Sequence, residues 1–208
     1  MGDPRRLRKK YQGPLKPFDK ERIEAEKELL KQFGLKNKTE IWKMNSLLRK
    51  FTSDAKKLIR STHNQAELER AYLINKLRSY NLVPENAKLD DILGMELQDI
   101  LNRRLQTIIY KQGLARSVDQ ARQLITHEHI KVGERVITFP SYLVTLADES
   151  KIGFSDNSPM SSTDHSLRLA LGLPAKKRTI TYIRSKHRFG KKHTKQEKGI
   201  TRERVRGK

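Results

Sequence analysis

The chain contains no cysteine, few aromatic side chains and no long apolar run. The absence of cysteine excludes disulfide bonds, cysteine-based zinc ribbons and thiol catalysis, and it fits a cytoplasmic protein. No apolar run reaches the length of a membrane span, and the start MGDPRRLRKKY lacks the hydrophobic segment of a signal peptide, so we expect neither feature in this chain. Because aromatic residues make up only 6% of the chain, stacking on single-stranded bases is not expected to be the main mode of binding.

Motifs of enzyme active sites are also missing. The sequence has no P-loop, no glycine-rich dinucleotide turn, no nucleophile elbow and no paired-carboxylate signature. His127 and His129 are the best candidates for metal ligands, but a structural zinc ion needs four ligands and no suitably spaced second cluster exists. Contact with phosphate or a base explains the two histidines better, with plain solvent exposure as the alternative. We therefore expect no enzyme, no cofactor and no small-molecule substrate.

Negative charge is scarce: the chain has 24 acidic residues and 45 lysines and arginines, which gives a net charge of +21. Most of the excess lies at the two ends, with +5 in residues 1–18 and +12 in residues 175–208, against +4 in between. A polyanion would relieve the repulsion among these charges. Nucleic acid is the first candidate and an anionic membrane surface the second, while mere solubility is the alternative role of the basic ends. Of the two candidates we choose nucleic acid, and we expect no membrane partner. The N-terminal arm contributes Arg5, Arg6, Arg8, Lys9 and Lys10.

Helical spacing dominates the first hundred residues. We predict a first helix from a cap at Asp19 to Gly34, and a third that begins at a cap at Asn64 and is broken by Pro84. The second helix is capped by Asn37 or Thr39, and its apolar residues keep three-four spacing. Its basic side chains lie outside that apolar face: Lys43, Arg49, Lys50, Lys56, Lys57 and Arg60.

Residues 101–136 predict two short helices and a hairpin. Leu101, Leu105 and the isoleucines that follow form the apolar face of the first helix, which Gly113 ends. Ser117 caps the second helix with Gln120 as its capping-box partner, and the strand turns at Gly133–Glu134 with type II′ geometry. The polar faces of the two helices then form a phosphate-binding surface, to which we assign Arg103, Arg104, Lys111, Arg122 and Gln123.

The remaining chain predicts short strands at 143–146 and 151–154 and a polar loop at 155–166. The fold class is therefore α+β, with a helical N-terminal domain, a small module of two helices with a hairpin and short antiparallel strands, and basic extensions at both ends. We place the domain limits at 1–100, 101–165 and 166–208.

The predicted phosphate-binding surface of residues 101–136 suits structured RNA bound through phosphates, 2′-hydroxyls and shape. Reading of the DNA major groove by the second helix is the alternative.

The run RRLQTIIYKQGLARSVDQARQLITHEHIKV, followed by PSYLV, resembles the RNA-binding module of the small-subunit ribosomal protein four family. The flanking runs RRLRKKY, FGLKNKTEIWKM, LLRKF and LDDILGMELQDIL resemble its archaeal and eukaryotic branch, and the likeness covers about residues 2–173. Coverage matters because the module alone also occurs in pseudouridine synthases, tyrosyl-tRNA synthetases and a heat-shock ribosome-binding protein. A modifying enzyme of that kind would need a separate catalytic domain, for which this chain has no room.

The resemblance implies a structural protein of the small ribosomal subunit in the cytoplasm. Such a protein would bind small-subunit rRNA directly and early, nucleate assembly of the subunit body and contact neighbouring ribosomal proteins. The resemblance also implies a position near the channel through which mRNA enters the subunit, which makes mRNA a further candidate partner. The alternative is a ribosome-assembly or rRNA-processing factor that uses the same module.

Carried over by position, the family's RNA-facing residues fall on both helices and the hairpin of the module. The residues that match are Arg103, Arg104, Arg116, Ser117, Gln120, Arg122, Gln123, His129, Lys131 and Arg135. Arg122 is the firmest single assignment, with a solvated arginine beside a carboxylate as the alternative. Many family members turn the hairpin with Asn-Gly where this chain has Gly133–Glu134. The absence of the zinc-binding cysteines that some bacterial members carry is consistent with the archaeal type.

Overall fold

The structure is a computed structural model, and it describes residues 9–162 and 165. The predictions for Arg5, Arg6, Arg8 and the basic extension 166–208 lie outside these residues. Within this part of the chain, no helix combines the length and the apolar character needed to cross a bilayer. The described elements are helices with one small sheet, so the predicted α+β class is confirmed.

Five helices build the N-terminal half. They are α1 (Lys20–Phe33), α2 (Lys38–Arg60), α3 (Asn64–Ser79), α4 (Leu89–Leu93) and α5 (Leu97–Asn102). The three-four spacing of α2 buries Ile41, Met44, Phe51, Ala55 and Leu58 in one core, which also holds apolar side chains of the other four helices. Most of the stability of these helices comes from this burial of an amphipathic face, rather than from intrinsic helix propensity.

Three further helices and a sheet build the second half. They are α6 (Leu105–Lys111), α7 (Val118–Thr126), β1 (Ile130–Val132), β2 (Arg135–Val136), α8 (Leu146–Glu149) and β3 (Ile152–Phe154), with a 3₁₀ turn at Pro159–Ser161. The sheet has the order β2–β1–β3 and is antiparallel throughout, with Lys131 opposite both Val136 and Gly153. Leu105, Ile109, Ile125 and Ile130 are fully buried in a second core beneath it.

The predicted helix caps are confirmed in part. Asp19 and Asn37 occupy the N-cap positions of α1 and α2, although neither side chain makes a capping hydrogen bond. The third helix begins one residue earlier than predicted, since His63 stands at the N-cap and Asn64 is already helical. The φ of +62° at Gly133 agrees with the predicted type II′ turn of the hairpin.

The prediction of one continuous helix from residue 101 was wrong, because the chain breaks between α5 and α6 at Arg103 and Arg104. The physical reason is backbone pairing with a distant segment. Leu105 N–H donates to the Tyr142 carbonyl at 2.8 Å, and Val144 N–H donates to the Arg103 carbonyl at 3.0 Å. The Leu105 N–H and the Arg103 carbonyl would form hydrogen bonds within a continuous helix, but here they are paired with residues 142 and 144.

The predicted strand at 143–146 was also wrong. Leu143 makes only an isolated bridge with Arg104. The chain then enters α8, where the Thr145 hydroxyl accepts a hydrogen bond from the Asp148 N–H at 3.2 Å and so caps the helix. The strand predicted at 151–154 is present as β3.

Candidate nucleic-acid interface

Ser117 caps α7 as the sequence predicts, but Gln120 does not complete the predicted capping box, because its side chain accepts from the residue before the cap. The Ser117 hydroxyl accepts a hydrogen bond from the Gln120 N–H at 3.1 Å, and the Arg116 N–H donates to Gln120 Oε1 at 2.8 Å. The side chains of Ser117 and Gln120 thus satisfy backbone groups at the helix terminus. Arg116 and Gln123 are exposed, so their side chains are open to a ligand.

Arg103 and Arg104 lie in the interior, and the prediction that both face solvent was wrong. Arg103 is 8% exposed, donates to Glu149 Oε2 at 2.9 Å and also reaches the Val144 carbonyl. Arg104 is 1% exposed. The break between α5 and α6 turns both side chains away from the surface on which a continuous helix would place them.

Two arginines from the second half of the chain form ion pairs with Glu40 of α2. Arg104 Nη2 lies 2.5 Å from Glu40 Oε2, and Arg122 Nη2 lies 2.8 Å from Glu40 Oε1. We call these three side chains the Glu40 clamp. Burial alone would raise the pKa of Glu40, but the hydrogen bonds and charges of Arg122 and Arg104 lower it below its ordinary value. The clamp therefore holds a carboxylate that stays ionised at neutral pH.

A polar contact beside the clamp joins the same two halves. Gln106 is fully buried, and its Nε2 lies 3.0 Å from both the Gly34 carbonyl and the Val118 carbonyl. Gly34 has a φ of +56°, and a Cβ added there would lie 2.9 Å from Asp119 Oδ1 and 3.0 Å from Val118 Cγ1. The positive φ favours glycine at this position, where the α1–α2 connection lies close to side chains of α7.

The residues predicted around the hairpin are partly occupied by protein contacts. Lys131 Nζ lies 2.6 Å from Asp156 Oδ1, and His129 Nδ1 lies 2.9 Å from the Ser158 hydroxyl. The ring of His127 stacks on that of His129 with a centroid distance of 6.3 Å. Arg135 is exposed on β2. No group of three or more possible metal-binding side chains occurs among the described residues.

Lys111 is exposed at the end of α6, and its Nζ lies 3.0 Å from Asn102 Oδ1. It lines a shallow cleft together with Arg103 and Glu149. Partial desolvation, followed by the charge of Arg103, lowers the pKa of Lys111 below its ordinary value. The predicted residues therefore separate into exposed groups, among them Lys111, and the arginines that are held by carboxylates.

A second basic surface lies on α2, outside the site predicted from the sequence. Six exposed cations and two serines follow one side of this helix, and we call this set the α2 stripe: Lys43, Ser46, Arg49, Lys50, Ser53, Lys56, Lys57 and Arg60. Within residues 9–162 and 165, no ion pair joins its cations to a carboxylate. The seven-residue spacing of Lys43, Lys50 and Lys57 was the signal in the sequence.

Tyr11 and Gln12 at the end of the N-terminal arm lie against α2 and this stripe. Gln12 N–H donates to the Ser46 hydroxyl at 3.0 Å, and Arg49 Nη1 donates to Gln12 Oε1 at 3.2 Å. The Tyr11 ring lies 6.0 Å from that of Trp42, measured between centroids. Lys9 and Lys10, both exposed, thus extend the positive charge of α2.

Comparison with known proteins identifies the family. The S4 domain model matches residues 103–150. The small ribosomal subunit protein uS4 of Methanococcus aeolicus is 49% identical over 166 residues, which are 79% of this chain and 94% of the relative. The Picrophilus torridus protein of the same name is 44% identical over 174 residues, 82% of this chain and 95% of the relative. The resemblance expected from the sequence is thereby confirmed: the chain belongs to the small ribosomal subunit protein uS4 family.

Proposed function

We propose that this protein is a structural component of the small ribosomal subunit in the cytoplasm, where it binds rRNA directly. The observation that carries the proposal is the S4 domain with two exposed basic surfaces, one on that domain and one on α2. One surface is the module face with Arg116, Gln123 and Arg135, and the other is the α2 stripe. Unpaired, exposed cations on a protein of net charge +21 are suited to phosphate contacts. The relatives' names as small ribosomal subunit proteins support the same function.

We propose that the exposed members of the predicted set make the direct RNA contacts, together with the α2 stripe. These members are Lys9, Lys10, Lys111, Arg116, Ser117, Gln123 and Arg135. Arg5, Arg6 and Arg8 stay predictions, and so do contacts by Gln120, His129 and Lys131, whose polar groups already have protein partners. Contacts by Arg103, Arg104 and Arg122 compete with the carboxylates that hold these arginines.

Several broader predictions belong to the same proposal. The protein acts without catalysis, cofactor or small-molecule substrate, and it binds early enough in assembly to nucleate the subunit body. The division at 1–100, 101–165 and 166–208 is kept as its domain organisation. Neighbouring ribosomal proteins are further partners, for which the exposed apolar pair Leu68 and Tyr72 on α3 offers a surface that is 67% and 68% exposed. Messenger RNA near its channel stays a prediction of the resemblance.

Sedimentation of cell lysate on a sucrose gradient tests the place of the protein in the ribosome. We expect stoichiometric amounts in mature small subunits and polysomes, retained after a high-salt wash. Confinement to substoichiometric precursor particles would instead indicate an assembly or rRNA-processing factor. Absence from every ribosomal fraction would contradict both functions.

Filter binding of the purified chain to a small-subunit rRNA transcript, without other ribosomal proteins, tests direct and early binding. We expect saturable binding whose affinity falls steeply with salt, because neutralised phosphates release their counterions. A DNA duplex of equal charge is the control. Equal affinity for that duplex would contradict specific rRNA binding, and a preference for the duplex would favour the DNA-binding alternative.

A further inference from the structure

The Glu40 clamp connects parts of the chain that are far apart in the sequence. Arg104 lies 64 residues after Glu40, and Arg122 lies 82 residues after it. Arg104 is 1% exposed, and the side chains of Glu40 and Arg122 are 16% and 26% exposed. The ion pairs are thus partly withdrawn from water. Because they are partly buried, solvent and salt screen them less than surface pairs.

The clamp also joins the two helices on which the basic surfaces lie. Lys43, the first cation of the α2 stripe, follows Glu40 by three residues and so lies about one helical turn away on the same side of α2. Arg122 belongs to α7, whose exposed Gln123 and preceding Arg116 face the solvent. The ion pair between Arg122 and Glu40 therefore joins the helix of the module face to the helix of the α2 stripe.

A phosphate that approached Arg122 would have to compete with Glu40. Displacing the carboxylate would leave Glu40 with Arg104 as its other charged partner, in a partly buried site. The contact of Gln106 with Gly34 and Val118 holds only the first residue of α7, and Arg122, four residues later, supplies the second point of attachment. Arg122 is therefore better placed to join protein elements than to bind RNA, unlike Arg116, whose side chain is exposed.

We propose that Arg122 is a positioning residue, which together with Arg104 and Glu40 holds α7 against α2 so that both basic surfaces meet one folded RNA at a fixed spacing. This inference rests on the proposed rRNA binding. In this role Arg122 does not contact an RNA phosphate. Glu40, an acidic residue, becomes a residue on which RNA affinity depends.

Salt-dependent binding to the rRNA transcript separates positioning from phosphate contact. We expect Glu40→Gln and Arg122→Gln each to weaken binding on the order of 10-fold, with the slope of log affinity against log salt unchanged. The double variant should be no weaker than either single variant, because both changes open the same clamp. Arg116→Gln is the matched control for a phosphate contact, and we expect it to reduce the slope by about 1.

A distance measurement in the free protein tests the clamp independently of RNA. The chain has no native cysteine, so Ser53→Cys on α2 and Thr126→Cys on α7, both at exposed positions, take two spin labels selectively. We expect a narrow distance distribution by pulsed electron paramagnetic resonance, and a broader one after Glu40→Gln or Arg122→Gln. Circular dichroism confirms that each variant is folded.

Two results would overturn the inference. If Arg122→Gln reduces the salt slope by about 1 while Glu40→Gln leaves affinity unchanged or raises it, Arg122 contacts phosphate. If both variants lower only the melting temperature and the distance distribution stays narrow, the clamp stabilises the fold without positioning anything. If the unaltered protein fails to bind rRNA, the proposed function fails, whereas the distance measurement still reports on the clamp.

Discussion

Helix α2 and the module carry arginines and lysines in patterns that look alike in the sequence, but they use them differently. The cations of the α2 stripe are exposed and unpaired with carboxylates among the described residues. In the module, Arg103, Arg104 and Arg122 are each held by a glutamate. The stripe is therefore suited to binding a polyanion, whereas these three arginines mainly hold protein elements together.

This difference shows that a basic residue on a predicted helix face is not evidence of an RNA contact by itself. Arg104 sits within an RNA-binding module by resemblance, yet it is 1% exposed. What separates it from Lys43 or Lys50 is a carboxylate contributed by a distant part of the chain. Two kinds of substitution can test the comparison, one that affects folding and one that affects binding.

Removal of Arg104 should have the largest effect on folding. We expect Arg104→Ala to lower the free energy of unfolding by about 3–5 kcal/mol, because it removes one partner of a buried ion pair and leaves a cavity. Urea denaturation followed by circular dichroism measures this change. The exposed Arg116→Ala serves as the control and should change stability by no more than about 0.5 kcal/mol. Equal effects of the two variants would contradict the distinction between buried and exposed arginines.

A methyl group at Gly34 should weaken the packing of the α1–α2 connection against α7. We expect Gly34→Ala to cost about 1–3 kcal/mol of unfolding free energy, because the residue has a φ of +56° and its Cβ would approach Asp119 and Val118. The control is Gly13→Ala, since a Cβ at Gly13 would have no atom within 4 Å. Thermal melts of both variants check the prediction, and an unchanged melting temperature for Gly34→Ala would contradict the close approach.

Acid should weaken the clamp without any substitution. Because the folded-state pKa of Glu40 lies below the ordinary value of 4.5, ionised Glu40 stabilises the fold above that pH, and this contribution is lost as the pH falls through the folded pKa. We expect the stability difference between the unaltered protein and Glu40→Gln to shrink as the pH drops below about 4.5. Urea titrations from pH 7 to pH 3 measure it. A difference that is constant over this range would contradict the ionised clamp.

Loss of the stripe's lysines should hardly affect stability. We expect the combined substitutions Lys43→Gln, Lys50→Gln and Lys57→Gln to change the free energy of unfolding by less than about 0.5 kcal/mol per site. The slope of log rRNA affinity against log salt should fall by about 3, because each of the three lysines would otherwise neutralise one phosphate. Lys27→Gln with Lys31→Gln, both exposed on α1, is the control and should leave the slope unchanged. An unchanged slope in the triple variant would remove the α2 stripe from the interface.

Local patterns explain how much of this protein could be predicted from its sequence. The buried face of α2, the cap at Ser117, the turn at Gly133 and the family resemblance all depend on residues within a few positions of one another or on one contiguous run. The helix spacing also predicted that the cations of α2 lie outside its apolar face, although they were not assigned to the binding site. For these features the sequence alone was sufficient, because helix periodicity and capping act over one or two turns.

Only the tertiary structure decided where the arginines of the module point. The break at Arg103 and Arg104 arises from hydrogen bonds with residues 142–144, and Arg104 and Arg122 are drawn to Glu40 from 64 and 82 residues away. Pairing of this kind depends on which chain segments meet when the two cores pack, and helix spacing carries no information about that. A cation remains buried only where a carboxylate reaches it, and the partner that decides this for Arg104 lies in another part of the chain.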